Sequence, residues 1–126
     1  MAFSFRIDTK HRLVLFKARG SFSSEDMLTC VEKVVSDPDF KPDFDHLVDL
    51  RDVTNFMSSA DDVKVRARRD HNSRKLNASR IAIVSSSDIV FGMSRMYEIL
   101  MDDADVTVRA FRNMDEATSW LGVRTD

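Results

Sequence analysis

The 126-residue chain has one cysteine, two prolines and three glycines. A lone Cys30 can close no internal disulfide and offers no zinc spacing, which fits a reducing compartment, so a cytoplasmic protein is expected. The glycines Gly20, Gly92 and Gly122 are too scattered to cradle a phosphate, and neither GxGxxG nor the P-loop pattern occurs. No run of about 18 apolar residues is available to span a membrane, and the opening MAFSFRID lacks the apolar core of a secretion signal. Net charge is only −2, and no aromatics interleave with the basic residues, so nucleic acid is not an expected partner. His11, His46 and His71 show no metal-ligand spacing, HExxH is absent, and no serine sits in GxSxG. No metal, cofactor or catalytic residue is therefore expected, and the chain reads as a non-enzyme.

What is present suits one globular domain over residues 1–126, since 43% apolar residues can fill a core beneath a 32% charged surface. Phe3, Phe5 and Ile7 alternate with polar residues as a first strand with one buried face. Residues 12–19 make a second strand, apolar on both sides until Lys17 and ended by Gly20. Ser23 caps a helix with a stripe of Leu28, Val31 and Val35, which stops at Asp37-Pro38. Cys30 beside that stripe reads as a small buried hydrophobe. A short third strand covers His46–Leu50, and Ser58 or Ser59 caps a second helix over 59–75, thin in apolar residues and rich in Lys and Arg. Residues 80–85 form a fourth strand and 87–101 a third helix facing inward with Ile89, Met93, Met96 and Leu100. Val106–Ala110 is a fifth strand, and Asn113 caps a last helix closed by Gly122. The order ββαβαβαβα implies an α/β fold, one five-stranded, mostly parallel sheet with an antiparallel N-terminal edge strand.

Sequential right-handed crossovers would put the connecting helices on one sheet face. The other face would then show Leu13, Leu15, Leu47, Ala82 and Val84, too apolar to leave in water. Either a helix covers it or the protein forms a homo-oligomer.

Candidate binding residues cluster after the fourth strand, at Ser85, Ser86, Ser87, Phe91, Gly92, Arg95 and Tyr97. Asp88 and the lack of a glycine make the serine run a capped helix start. Gly92 inside a helix costs about 1 kcal/mol against Ala, so a close approach of another backbone or a ligand is expected there. All four helices begin with acid (Glu25/Asp26, Asp61/Asp62, Asp88, Asp115/Glu116), which complements the helix dipole. Lys64, Arg68 and Arg69 offer a basic docking strip for an acidic partner. The methionines of the third helix read as packing, with an apolar small-molecule pocket as the alternative.

The stretches HLVDLRDVT, RIAIVSSSDIVFGMSRMYE and VRAFRNMDEATSWL together make the chain resemble the small bacterial SpoIIAA-like proteins of the STAS superfamily, related in fold to CRAL-TRIO lipid-binding domains. The resemblance spans nearly the whole chain and implies a regulatory, protein-binding module. Its alternative is a carrier or sensor of a lipid-like or other apolar small molecule. Relatives that antagonise anti-sigma factors carry a phosphorylated serine in an Asp-Ser-Ser-Gly turn. The matching stretch here, Phe56-Met57-Ser58-Ser59-Ala60, keeps the serine pair without the Asp and the Gly, and a plain helix cap is the favoured reading.

Overall fold

Alternation along each strand decides which side it buries. In the computed structural model, which describes residues 3–57, 59–72, 80–102 and 104–123, strands β1 (Phe3–Asp8) and β2 (Leu13–Phe22) pair antiparallel. Strands β3 (Asp45–Phe56), β4 (Arg80–Val84) and β5 (Thr107–Phe111) continue the sheet in parallel, in the order β1-β2-β3-β4-β5. Helices α1 (Ser24–Val35), α2 (Ala60–Asn72) and α3 (Asp88–Leu100) connect the parallel strands, and α4 (Met114–Leu121) follows β5. This is the mixed five-stranded α/β fold expected from the sequence. No helix among the described residues is long and apolar enough to cross a membrane.

Each helix begins on a short polar side chain that satisfies backbone N–H groups otherwise left without partners. Ser23 Oγ accepts from Asp26 N at 3.2 Å while Asp26 accepts from Ser23 N, a reciprocal box repeated by Ser59 and Asp62 at the start of α2. Ser87 accepts from Val90 N and Asn113 from Glu116 N. Two of the acidic helix starts are thus spent on capping. Ser58 and residues 73–75 of the expected second helix lie outside the described residues.

Two strands run further than the sequence pattern indicated. Gly20 does not end β2; it takes φ +68 beside shifts in the β2–β3 register, so the strand bulges and goes on. The continuation buries Phe22 completely, 5.9 Å from the Phe16 ring. Likewise β3 does not stop at Leu50 but extends to Phe56, burying Val53.

The core has two layers. Val14, Phe16 and Ala18 of β2, Val48 and Leu50 of β3, and Ile81 and Ile83 of β4 meet Cys30 and Val34 of α1, Ala67 of α2 and Val90 of α3. On the opposite side Leu13, Leu47, Ala82 and Val84 are covered by Ala117 and Leu121 of α4. The helix therefore takes the place a second copy would have had on the apolar sheet face. Arg80 fastens it: the guanidinium pairs with Asp45 at 2.8 Å and donates to the carbonyls of Trp120 and Leu121 at the negative end of α4.

Two helices sit one residue away from their expected stripes. On α3 the buried positions are Val90 and Ser94, with Met101 just beyond, while Ile89 is 71% and Leu100 38% exposed. A helix apolar nearly all round leaves its rotation to the neighbours. The hydroxyl of Ser94 is tolerated inside because it donates to Val90 O at 2.8 Å. On α1 it is Cys30 and Val34 that are buried, and Cys30 is central rather than beside the stripe. Burial pushes its thiol up to about 12, so it is no nucleophile at neutral pH.

Candidate functional site: a cavity between the sheet and three helices

The larger core layer is not filled. A pocket of about 130 Å³, partly open to the surface, lies between the sheet and helices α1–α3. Met27 and Val31 of α1, Val63 of α2, Ile83 of β4, and Val90 and Met93 of α3 supply apolar wall. His46, Arg66, Asp70 and Tyr97 add the polar groups, with Ser24 and Ser94.

Their positions follow from the periodicities of their elements. His46, Val48 and Leu50 share one face of β3 at strand spacing. Val63, Arg66 and Asp70 lie on the inner side of α2 at helical spacing, so Arg66 leaves the exposed basic face and turns inward. Its Nε donates to Asp70 Oδ2 at 2.7 Å, and both side chains are only 13% and 12% exposed. The Tyr97 hydroxyl donates to the same Asp70 oxygen at 2.6 Å, tying α3 to α2. Burial, reinforced by the Asp70 charge and this bond, holds the Tyr97 phenol well above its ordinary range. Two buried nitrogens of the lining residues, His46 Nε2 and Arg66 Nη1, have no hydrogen-bond partner.

Desolvation brings the His46 imidazole down to about 4, against a small opposing pull from the Asp45 charge. The unfolded chain takes up this proton near pH 6.5 and the folded protein not until about pH 4. Stability is therefore present in full above pH 6.5 and falls as the pH drops from there to 4. The total is about 3 kcal/mol, at roughly 1.4 kcal/mol per tenfold difference in proton affinity. Urea midpoints of the protein and of a His46→Phe variant at pH 7, 5.5 and 4.5 check this. Parallel pH profiles would show that His46 does not titrate in this way.

The residues singled out in the sequence do not form one site. Ser85 is fully buried, and its N–H donates to Phe111 O at 3.1 Å. Ser86 and Ser87 are exposed at the start of α3. There Arg112 reaches over the Phe91 ring at 4.5 Å and pairs with Asp88 at 2.5 Å, a clasp between β5 and α3. Arg95 is exposed and pairs with Glu98, whose other oxygen accepts from Ala110 N. No backbone of the chain itself approaches Gly92 among the described residues: it is exposed, and an added Cβ would meet nothing within 4 Å. Only Tyr97 of this group reaches the cavity. On α2 the side chains of Lys64, Arg68 and Arg69 are exposed as a strip, and Ser59 is engaged in its capping box.

Sequence reasoning missed His46, Arg66 and Asp70 as a group. The available signal was the Arg66–Asp70 spacing of four residues on the side of α2 that carries Val63, with His46 in phase with Val48 and Leu50. Each fact is commonplace alone, and only the fold brings them together.

A family model described as SpoIIAA-like matches residues 13–122. Among solved structures, the chain is similar to an uncharacterised protein of the DUF3478 family with a SpoIIAA-like fold from Shewanella loihica PV-4. The two are 19% identical, with a TM-score of 0.59 over 95% of this chain and 94% of that one. No curated protein matches.

Proposed function

Because the chain belongs to the SpoIIAA-like family, we propose that it is a non-enzymatic STAS-like binding module whose ligand is a small, mainly apolar molecule held between the sheet and α1–α3. The carrying observation is the cavity itself, apolar in most of its wall, with His46, Arg66, Asp70 and Tyr97 among its lining residues. Binding sites combine these features, a hydrophobic concavity and a few polar groups that orient the occupant. A binding role rather than catalysis is supported by the state of the titratable groups. His46 at about 4 is a weak base, and Tyr97 well above its usual value is a poor acid at neutral pH. Cytoplasmic localisation rests on the lone, buried Cys30.

Native mass spectrometry of gently purified protein, followed by thermal shifts with small cyclic and aromatic compounds, tests the proposal. Retained mass, or a rise in melting temperature that saturates with ligand, is expected. A bare spectrum together with no shift from any compound would overturn it.

An acidic protein partner is the second reading, favoured by the exposed side of α2, where Val65 is 56% exposed beside Lys64, Arg68 and Arg69. Reversing the three cations to Glu would remove such a partner from a pull-down, and an unchanged partner list would exclude the strip.

A further inference from the structure

An open sheet has two edges, each a row of backbone groups from which a further strand can bond. At β5 that row is guarded. The Ala110 N–H points away from β4 and donates to Glu98 Oε1 at 2.7 Å, and the other oxygen of Glu98 is held by Arg95. A side chain thus stands where another strand would attach. At the opposite end of the sheet lies β1, and among the described residues no side chain caps its outer backbone.

The two sheet faces beside this open edge differ in character. Phe3, Phe5 and Ile7 lie on the face of α1–α3 and are only partly buried, the thin margin of the larger core layer. On the other face α4 packs against β3, β4 and β5. Beyond it the sheet shows Ser4 and Arg6 of β1 with Lys17 and Arg19 of β2, all exposed. Register fixes their spacing: Ser4 stands opposite Lys17 and Arg6 opposite Leu15, so Arg6 and Lys17 are diagonal neighbours about 7–8 Å apart. Lys17 lies 3.3 Å from Asp52, a pair more than half exposed on both sides. Arg6 and Arg19 pair with no carboxylate among the described residues, and Asp8, two positions on, is bonded to His11 at 2.7 Å. The edge is flanked by cations on one face and by half-exposed apolar side chains on the other.

We propose that β1 takes up an extended segment of a partner protein as a sixth strand, apolar at the positions beside Phe3, Phe5 and Ile7 and acidic at the alternate positions beside Ser4 and Arg6. Main-chain bonds to the edge supply attachment, and the alternating side chains supply selectivity, as in other strand additions. Charge complementarity decides for an acidic segment, whose carboxylates meet Arg6 directly with Lys17 and Arg19 behind it. It also decides against a second copy, whose own β1 would add another Arg6 to the same row of cations. None of these residues lines the pocket or belongs to the α2 strip, so the proposal is independent of both readings above.

A blocked heptapeptide, Thr-Glu-Val-Glu-Val-Glu-Thr, and its lysine counterpart, Thr-Lys-Val-Lys-Val-Lys-Thr, test this by NMR titration of the intact protein. The glutamate peptide is expected to shift the amide signals of residues 3–8, to slow the exchange of alternate amides there, and to bind more weakly as salt is raised. The lysine peptide is expected to bind about tenfold more weakly. Proline in place of both valines is expected to abolish binding, since it removes the N–H groups that a strand contributes. An Arg6→Glu protein, altered at an exposed position, is expected to lose about fivefold in affinity for the glutamate peptide and to gain affinity for the lysine peptide. Shifts confined to residues outside β1, equal affinity for the two peptides, or no binding of the glutamate peptide at millimolar concentration would each overturn the proposal. Dimers of the unaltered protein in sedimentation that Arg6→Glu abolishes would assign the edge to a second copy instead.

Discussion

Replacing Arg66 with alanine is expected to destabilise the protein by about 3 kcal/mol, several times the effect of the same change at the exposed Lys64. The difference follows from surroundings, since both are cations on α2. Lys64 is 57% exposed and lies 4.0 Å from the solvated Asp61, a pair worth at most about 1 kcal/mol. Arg66 and Asp70 are about seven-eighths buried, and losing the guanidinium strands a largely buried carboxylate with, among the described residues, only the Tyr97 hydroxyl to hold it. Breaking a buried pair from one side costs about 3–5 kcal/mol, most of it the penalty of the charge left behind. A second change, Asp70→Asn, removes that charge, so the doubly altered protein is expected to be more stable than the single Arg66→Ala variant. Urea denaturation of the set at pH 7 measures both claims. An Arg66→Ala loss no larger than that of Lys64→Ala would show that the pair is solvated.

The contrast between Arg66 and its neighbours also explains what the sequence could and could not convey. Element order, strand alternation and helix starts were legible because they depend on local spacing: Ser23, Ser87 and Asn113 act as caps where short polar residues precede an apolar run. The apolar second face of the sheet was legible too, because Leu13, Leu47, Ala82 and Val84 are out of phase with the residues that meet α1–α3. Helix rotation was not. α3 has enough apolar residues to offer several faces to the sheet, and the packed one runs through Val90 and Ser94, a face with a serine in it. The alternative, through Ile89 and Leu100, lies exposed. The cavity depends on that rotation, for it brings Tyr97 to Asp70. A charged residue such as Arg66 gives no local sign that it points inward. The sign is its partner at the fourth position onward and a neighbouring helix that delivers a third group.

Substituting aspartate for Ala117 is expected to detach α4 and convert the protein to a self-associating form. Ala117 has no exposed surface and packs in the layer formed by Leu13, Leu47, Ala82 and Val84. A carboxylate there can neither stay buried unpaired nor rotate to water while the helix remains docked. An eight-residue helix has no stability of its own once undocked, since isolated helices shorter than about 12 residues are marginal in water. Its release would also take from Arg80 the two carbonyls it grips and open the apolar sheet face to solvent. Trp120, the only tryptophan, reports the event: it lies 5.7 Å from the Phe111 ring and under the Arg80 guanidinium, so its emission should shift to the red. Sedimentation should show dimers or larger species at concentrations where the unaltered protein shows fewer. Ser119→Asp, on an exposed position of the same helix, is the control and should leave both readouts unchanged. A variant at Ala117 with unshifted emission and unaltered sedimentation would mean that α4 is not what keeps the second sheet face from water. The self-association expected of such a face arises, on this account, only when its own helix is absent, which separates it from any partner bound at the opposite layer by α2 and α3.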